Sequence, residues 1–314
     1  MTRPAEVNAP PPGHPTRMSA TRRLLVGLAL GAAASMIWGG HGVVARLALT
    51  GQGITVLDML FCRYLPAALL LAPFAWRERA AILALGWRKL LVLTFFGGCG
   101  NMLLFVSAMH WAPASHGGTI APMMGPITGA LAAWWLLHER PTMGRLAALA
   151  TMLAGILMIA WDGFGMDPGA WKGDLLLVGA GGGWGVFTVL LRRWRVAAIP
   201  AAAAVSFTSL AFVVPAFLLL RAPEFLALPP LLIGWMMLAQ GVILGFASML
   251  LFARSVEMLG ATRAATLSVL VPATGLTAAW LMLGEPIGWF KASGALLAVS
   301  AMLIAVLFTG RRPA

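Results

Sequence analysis

A fourteen-residue phrase occurs twice in this chain, and the repetition limits the fold more than any other feature. Residues 126–139 read PITGALAAWWLLHE and residues 272–285 read PATGLTAAWLMLGE. Eight of the fourteen positions agree at an offset of 146, among them Pro126/Pro272, Gly129/Gly275, Trp134/Trp280 and Glu139/Glu285. Apolar bias alone does not bring Trp, Pro and Glu into register, so the chain carries an internal duplication. The same offset matches Trp38-Gly39 to Trp184-Gly185, which extends the duplication back to the first apolar segment of each half.

The surroundings of the phrase say what is duplicated. The 314 residues are 60% apolar and only 10% charged, against roughly 25% charged in a soluble domain. The apolar runs are close to twenty residues long, the length that crosses a hydrocarbon core of about 30 Å as a helix, whereas a membrane barrel would alternate over strands of about ten residues. Ten such runs are expected, at 24–47, 54–75, 90–109, 115–137, 143–161, 175–191, 200–220, 231–252, 264–283 and 289–308. Five spans per copy is an odd number, so the second copy enters the bilayer from the opposite side. The expected fold class is therefore an all-α integral membrane protein of ten transmembrane helices in two inverted five-helix repeats. Its expected parts are a disordered cytoplasmic tail at 1–21, a first repeat at 22–162, a second, inverted repeat at 172–309 and a cytoplasmic tail at 310–314. The proline-rich start, with Pro10, Pro11, Pro12 and Pro15, reads as a tail and not as a cleaved signal peptide.

A net charge of +12 would suit a nucleic-acid partner if the cations shared one face. They do not: seventeen Lys and Arg residues are scattered over the two tails and alternate connections, and only Lys172 and Arg221 fall in the opposite set. The excess marks the cytoplasmic side, places both termini there in an inner (cell) membrane, and excludes nucleic acid as a partner.

The two spans that end in A-x-x-x-x-x-E-x-P or E-P follow segments such as FVSAMHWAPASHGGTIAPMMGP and LFARSVEMLGATRAATLSVLVP. They resemble the EamA repeat of the drug/metabolite transporter superfamily, over nearly everything from residue 24 to 309. The resemblance implies a ten-helix carrier of small metabolites, often amino acids, with the aromatic amino-acid exporters as the branch of choice. It also implies alternating access, with a small-molecule substrate and the lipid bilayer as the partners. Small multidrug-resistance relatives carry a carboxylate in the middle of their first helix, whereas the first span here has neither Asp nor Glu.

The residues themselves offer two groups of candidates. Pro126 and Pro272 lie near mid-membrane, where a proline removes a helical hydrogen bond and kinks the chain. With Gly125, Gly129 and Gly275 beside them they are hinges for alternating access or static kinks that shape packing. Trp38 and Trp184 lie near the centres of their spans, away from the interfaces that tryptophan usually marks. They, with His41 at i+3 from the first and Phe187 and Thr188 at i+3 and i+4 from the second, are expected to line a central substrate cavity. Tyr64, Asn101 and Gln240 are further polar groups deep in spans; the alternative for all of these is hydrogen bonding between neighbouring helices. Arg63 is the one charge well inside a span, placed to hold a substrate carboxylate or to pair with Asp58. Its offset partner is Ser209, so the repeated architecture does not require the charge.

Glu139 and Glu285 have a structural account, as carboxylates favouring the N-terminus of the helix that follows each. Cys62 and Cys99 lie in apolar runs and read as packing residues. No H-E-x-x-H or G-x-S-x-G spacing occurs, so no catalytic residue, metal or cofactor is expected, and an intramembrane enzyme or a channel is the lesser reading. Gly-x3-Gly pairs at Gly27/Gly31, Gly125/Gly129, Gly181/Gly185 and Gly241/Gly245 allow close helix packing, and with ten spans to join internally a monomer is expected.

Overall fold

A computed structural model describes residues 19–164 and 169–309; most of the N-terminal tail and all of the C-terminal one lie outside it. Among the described residues all regular structure is helical. Nine helical segments among these residues are long and apolar enough to cross a membrane. They are span 1 (Ala20–Gly51), span 2 (Val56–Arg77), span 3 (Gly86–Ala108), span 4 (Ala114–Leu137), span 5 (Met143–Asp162), span 6 (Ala170–Trp194), span 7 (Ala198–Leu220), span 8 (Pro230–Leu259) and span 9 (Arg263–Leu283). A tenth helix, Trp289–Thr309, is span 10. The face where span 1 begins is called here the basic face, after its charge, and the opposite one the far face.

Local chemistry sets the helix ends. Ser19 accepts from Arg22 N to cap span 1, and Thr55 and Asp58 form a reciprocal capping box at the start of span 2, each satisfying a backbone N–H that the first turn leaves free. The two copies of the phrase end alike. His138 and Gly284 take left-handed conformations (φ 57° and 66°), and the next amides, Glu139 N and Glu285 N, reach back to Ala133 O and Ala279 O at 3.2 and 3.3 Å. Each bond runs back six residues past the left-handed residue, to a carbonyl that also accepts from that residue's own amide, and closes the helix end.

Four spans depart from a regular helix. Span 1 breaks at Gly40 and span 3 at Gly98, span 8 winds as a π-helix over Met237–Ala247, and span 9 divides at Ser268–Val269. The last break lies one turn before Pro272, whose missing N–H cannot serve the Ser268 carbonyl; Val271 N takes that carbonyl instead at 3.0 Å. Span 4 runs without interruption through both Pro122 and Pro126, so the symmetry-related prolines do not bend their helices equally.

The repeats are inverted and interleaved. Span 1 packs against spans 8 and 9, span 6 against spans 3 and 4, span 2 against spans 7 and 8, and span 5 along span 10. The duplicated residues meet where these helices cross. A β-carbon on Gly39 would strike the Thr274 hydroxyl and lie 2.7 Å from Val271 O; one on Gly185 would strike the Thr128 hydroxyl and Gly125 O. Each threonine is fixed by its own helix, Thr274 donating to Leu270 O at 2.7 Å and Thr128 to Met124 O at 2.9 Å. Trp-Gly and Thr-Gly are therefore two halves of one crossing, built once between spans 1 and 9 and once between spans 6 and 4.

Candidate functional site

Spans 1, 2, 3, 7 and 8 each place a polar side chain at a similar depth. His41, Arg63, Tyr64, Asn101, Ser209 and Gln240 lie roughly seven to eleven residues in from the far-face ends of their helices, about 10–17 Å at 1.5 Å per residue. His41 stacks flat on Phe105, with ring centroids 4.5 Å apart, lies against the Gln240 side chain and sits within the field of Arg63. Tyr64 is beside both Arg63 and Ser209, and Ser209 accepts from Cys99 N at 3.0 Å. Asn101 donates to Ala180 O of span 6 at 2.6 Å, tying span 3 across the repeat boundary.

Three nitrogens of this layer, His41 Nε2, Arg63 Nη1 and Gln240 Nε2, are buried without a hydrogen-bond partner in the protein. Polar groups are rarely left so in a fold, and an unpaired one costs about 1–3 kcal/mol, more if charged. The Arg63 and Gln240 nitrogens can only donate, while His41 Nε2 donates or accepts according to its tautomer. Asp58 does not supply an acceptor: it accepts from Thr55 N at 2.8 Å and from Arg221 Nε and Nη2 at 3.2 and 3.0 Å. Hydrogen bonding to Asp58 in turn raises the Arg221 guanidinium above its already basic range. An apolar recess of about 530 Å³ opens at the far face above this pair, lined by Ile54, Val56, His110 and Arg221 among others. Its cation is already engaged, so the polar layer beneath it is the stronger site.

The remaining predicted residues lie around this layer. Trp38 donates from Nε1 to Ser248 Oγ at 2.9 Å and tilts against Phe252 at 5.1 Å, both on span 8. The Gly40 break separates Trp38 from His41, yet both residues reach span 8. Trp184 is 44% exposed, 5.2 Å from Phe187 and close to Gly125; the residue matching Ser248 in its half is Met102, which offers no hydroxyl. Phe187 is buried with Leu93, Leu190, Ala201 and Val205 in an apolar cluster of spans 3, 6 and 7, and Thr188 donates to Gly185 O at 2.8 Å. Pro126 with Gly125 and Gly129 lies where span 4 meets span 6, and Gly275 lies against Gly118 of span 4.

Glu285 corrects the expectation for its pair. It does not serve span 10, which follows it, but accepts from Ala114 N and Ser115 N at 2.6 and 3.1 Å, capping span 4 at the far face. Glu139 pairs with Arg192 at 2.5 Å. A buried pair that sequence reasoning missed lies close by: His116 Nδ1 and Asp174 Oδ1 are 2.7 Å apart and join spans 4 and 6. No periodicity flags it, since its members are far apart in the chain and have no counterparts at the 146 offset.

No group of His, Cys, Asp or Glu among the described residues is arranged to hold a metal. No curated protein matches this sequence significantly. A solved crystal structure is similar over 92% of this chain and 99% of its own, with a TM-score of 0.61 at 18% identity, which is a likeness of fold. The EamA-like transporter family matches twice, over residues 25–161 and 171–307. The two matches cover both five-helix halves, and the protein belongs to the EamA-like transporter family.

Proposed function

We propose that this membrane transporter exports amino acids, aromatic ones included, across the inner membrane by alternating access. The observation that carries the reading is the layer of unpartnered nitrogens on His41, Arg63 and Gln240. A guanidinium with a free N–H suits a carboxylate, which it binds through charge-assisted hydrogen bonds. The Phe105 ring and the partly accessible Trp38 and Trp184 supply apolar faces for a side chain, and Tyr64 and Asn101 complete the polar wall. Gly125, Pro126, Gly129, Pro272 and Gly275 are the hinges of this scheme, and the division of span 9 before Pro272 supports the second of them. Both termini are assigned to the cytoplasm because the basic residues cluster on that face. The Gly-x3-Gly pairs are engaged inside the chain, Gly27 and Gly31 on spans 8 and 9 and Gly241 on span 2, which supports a monomer.

Counterflow of labelled phenylalanine into proteoliposomes tests the reading. Arg63→Gln should reduce uptake at least about tenfold, and Trp38→Ala or Trp184→Ala should weaken apparent affinity for aromatic substrates more than for alanine. Normal counterflow by well-inserted Arg63→Gln would remove the carboxylate role. Flux that neither saturates nor responds to substrate on the trans side would indicate a channel instead.

A further inference from the structure

The 146 offset matches two more residues at the membrane edges. Arg46 corresponds to Arg192 and Glu285 to Glu139, so each face carries one Arg and one Glu at equivalent places. The two faces use them differently. At the far face Arg46 donates from Nη1 to Met109 O at 3.1 Å and Ala112 O at 2.6 Å, while Glu285 accepts from Ala114 N and Ser115 N. Both grip the short link between spans 3 and 4, one by its carbonyls and one by its amides. At the basic face residues 255–261, the last turn of span 8 and the start of its link to span 9, occupy the equivalent place. There Arg192 and Glu139 hold one another, 56% and 39% exposed, and Gly260 N is turned inward to Val256 O at 2.8 Å.

The helices beneath differ in the same sense. Spans 4 and 9 touch backbone to backbone in the far half, where a β-carbon on Gly118 would lie 2.6 Å from Gly275 Cα. The matching contact in the other half would join Gly129 to Ala264. A β-carbon on Gly129 instead finds Gly185 atoms as its three nearest neighbours, the third already 4.0 Å away. The helices separate towards the basic face.

We infer that Arg46 with Glu285, and Arg192 with Glu139, are two copies of one clamp that close opposite faces in alternation, the far-face copy being fastened in this structure. In the other state Glu139 leaves Arg192 and accepts from the amides of Gly260 and Ala261, Arg192 takes carbonyls at the end of span 8, and Glu285 releases span 4. The exchange requires Gly260 N to leave Val256 O and the last turn of span 8 to open, and the bonds released at one face are offset by those made at the other. The inference rests on the alternating-access reading.

Pulsed EPR distances on the full chain in lipid nanodiscs test it, in a Cys62→Ala/Cys99→Ala background. Spin labels at Trp111 and Ile287 report the far face, and labels at Arg140 and Arg263 the basic face. Losing a carboxylate that accepts two backbone hydrogen bonds should shift the populations at least about tenfold. Glu285→Ala should therefore lengthen the far distance and shorten the basic one, and Glu139→Ala should do the opposite. The double variant Glu139→Ala/Glu285→Ala should return towards the wild-type ratio, which loss of a local helix cap cannot produce. If Glu285→Ala loosens the far face without shortening the basic distance, or the double variant matches Glu285→Ala alone, the clamp is wrong. If phenylalanine moves both distances while no glutamate variant does, the clamp alone fails. If neither substrate nor any variant moves either distance, alternating access fails with it.

Discussion

The far face and the basic face hold their charges in different ways. At the far face the contacts of charged groups are buried or nearly so: Asp58 is fully buried under Arg221, Asp174 meets the His116 ring, and Lys291 lies 3.8 Å from Asp162 with its chain almost wholly covered. At the basic face Arg254 and Glu257 are 66% and 54% exposed, Arg192 and Glu139 are only slightly better covered, and Arg23 reaches the Glu257 carbonyl from an exposed position. An exposed pair contributes about 0–1 kcal/mol, while removing one partner of a buried pair strands the other at a cost of several. The face richest in charge is thus the one that its charges stabilise least. The few charges opposite hold helices together.

The strongest test of this division lies between the faces, where the halves are alike. Gly39→Leu and Gly185→Leu each drive a side chain into a threonine and a backbone carbonyl, and each should cost about 3 kcal/mol or more. Equal loss of monodisperse, thermally stable protein would locate the asymmetry at the edges alone; a large inequality would extend it to the centre. At the edges, Asp58→Ala should lower stability by about 2–3 kcal/mol, because it removes the cap of span 2 and frees Arg221. Glu257→Ala should change it by less than about 0.5 kcal/mol. Unfolding in a denaturing detergent measures both, and similar losses would dissolve the distinction. The smallest effect should come from salt. Raising sodium chloride from about 0.1 to 1 M shortens the screening length from about 10 to 3 Å, which should erase any measurable cost of Arg254→Ala and leave that of Asp58→Ala unchanged.

Much of the fold was legible because it is periodic. Run length marked the spans, and an odd number of them per copy made the repeats inverted. What the offset could not say is which equal residues touch: Trp-Gly and Thr-Gly were visible as repeats, but they meet across helices that are not neighbours in the chain, Gly185 on Thr128 and Gly39 on Thr274. Asp58 misled for a related reason. Arg63 is near it in sequence but about 140° round the helix, and the true partner, Arg221, lies 163 residues away. Of the candidate site, the sequence marked His41, Arg63, Tyr64 and Gln240 by their polarity in apolar runs. It did not mark Phe105 under His41 or Ser209 beside Tyr64, since an aromatic or a serine in a membrane helix is ordinary. The break in span 9 was half legible: Pro272 announced it, but it falls a turn earlier, at the carbonyl the proline cannot serve.

The interleaving of the repeats also sets a waiting time during synthesis. Span 1 has its main partners in spans 8 and 9, and the bond from Trp38 to Ser248 joins residues 210 apart. At roughly 5–20 residues per second of translation, span 1 spends on the order of 10–40 s in the bilayer before the helix that receives its indole has been made. Its small-residue stripe, Gly27, Gly31 and Ser35, faces lipid or passing helices throughout that interval. A chain built in this way is exposed to the insertion machinery and to membrane proteases longest at its first helix, well before any substrate is carried.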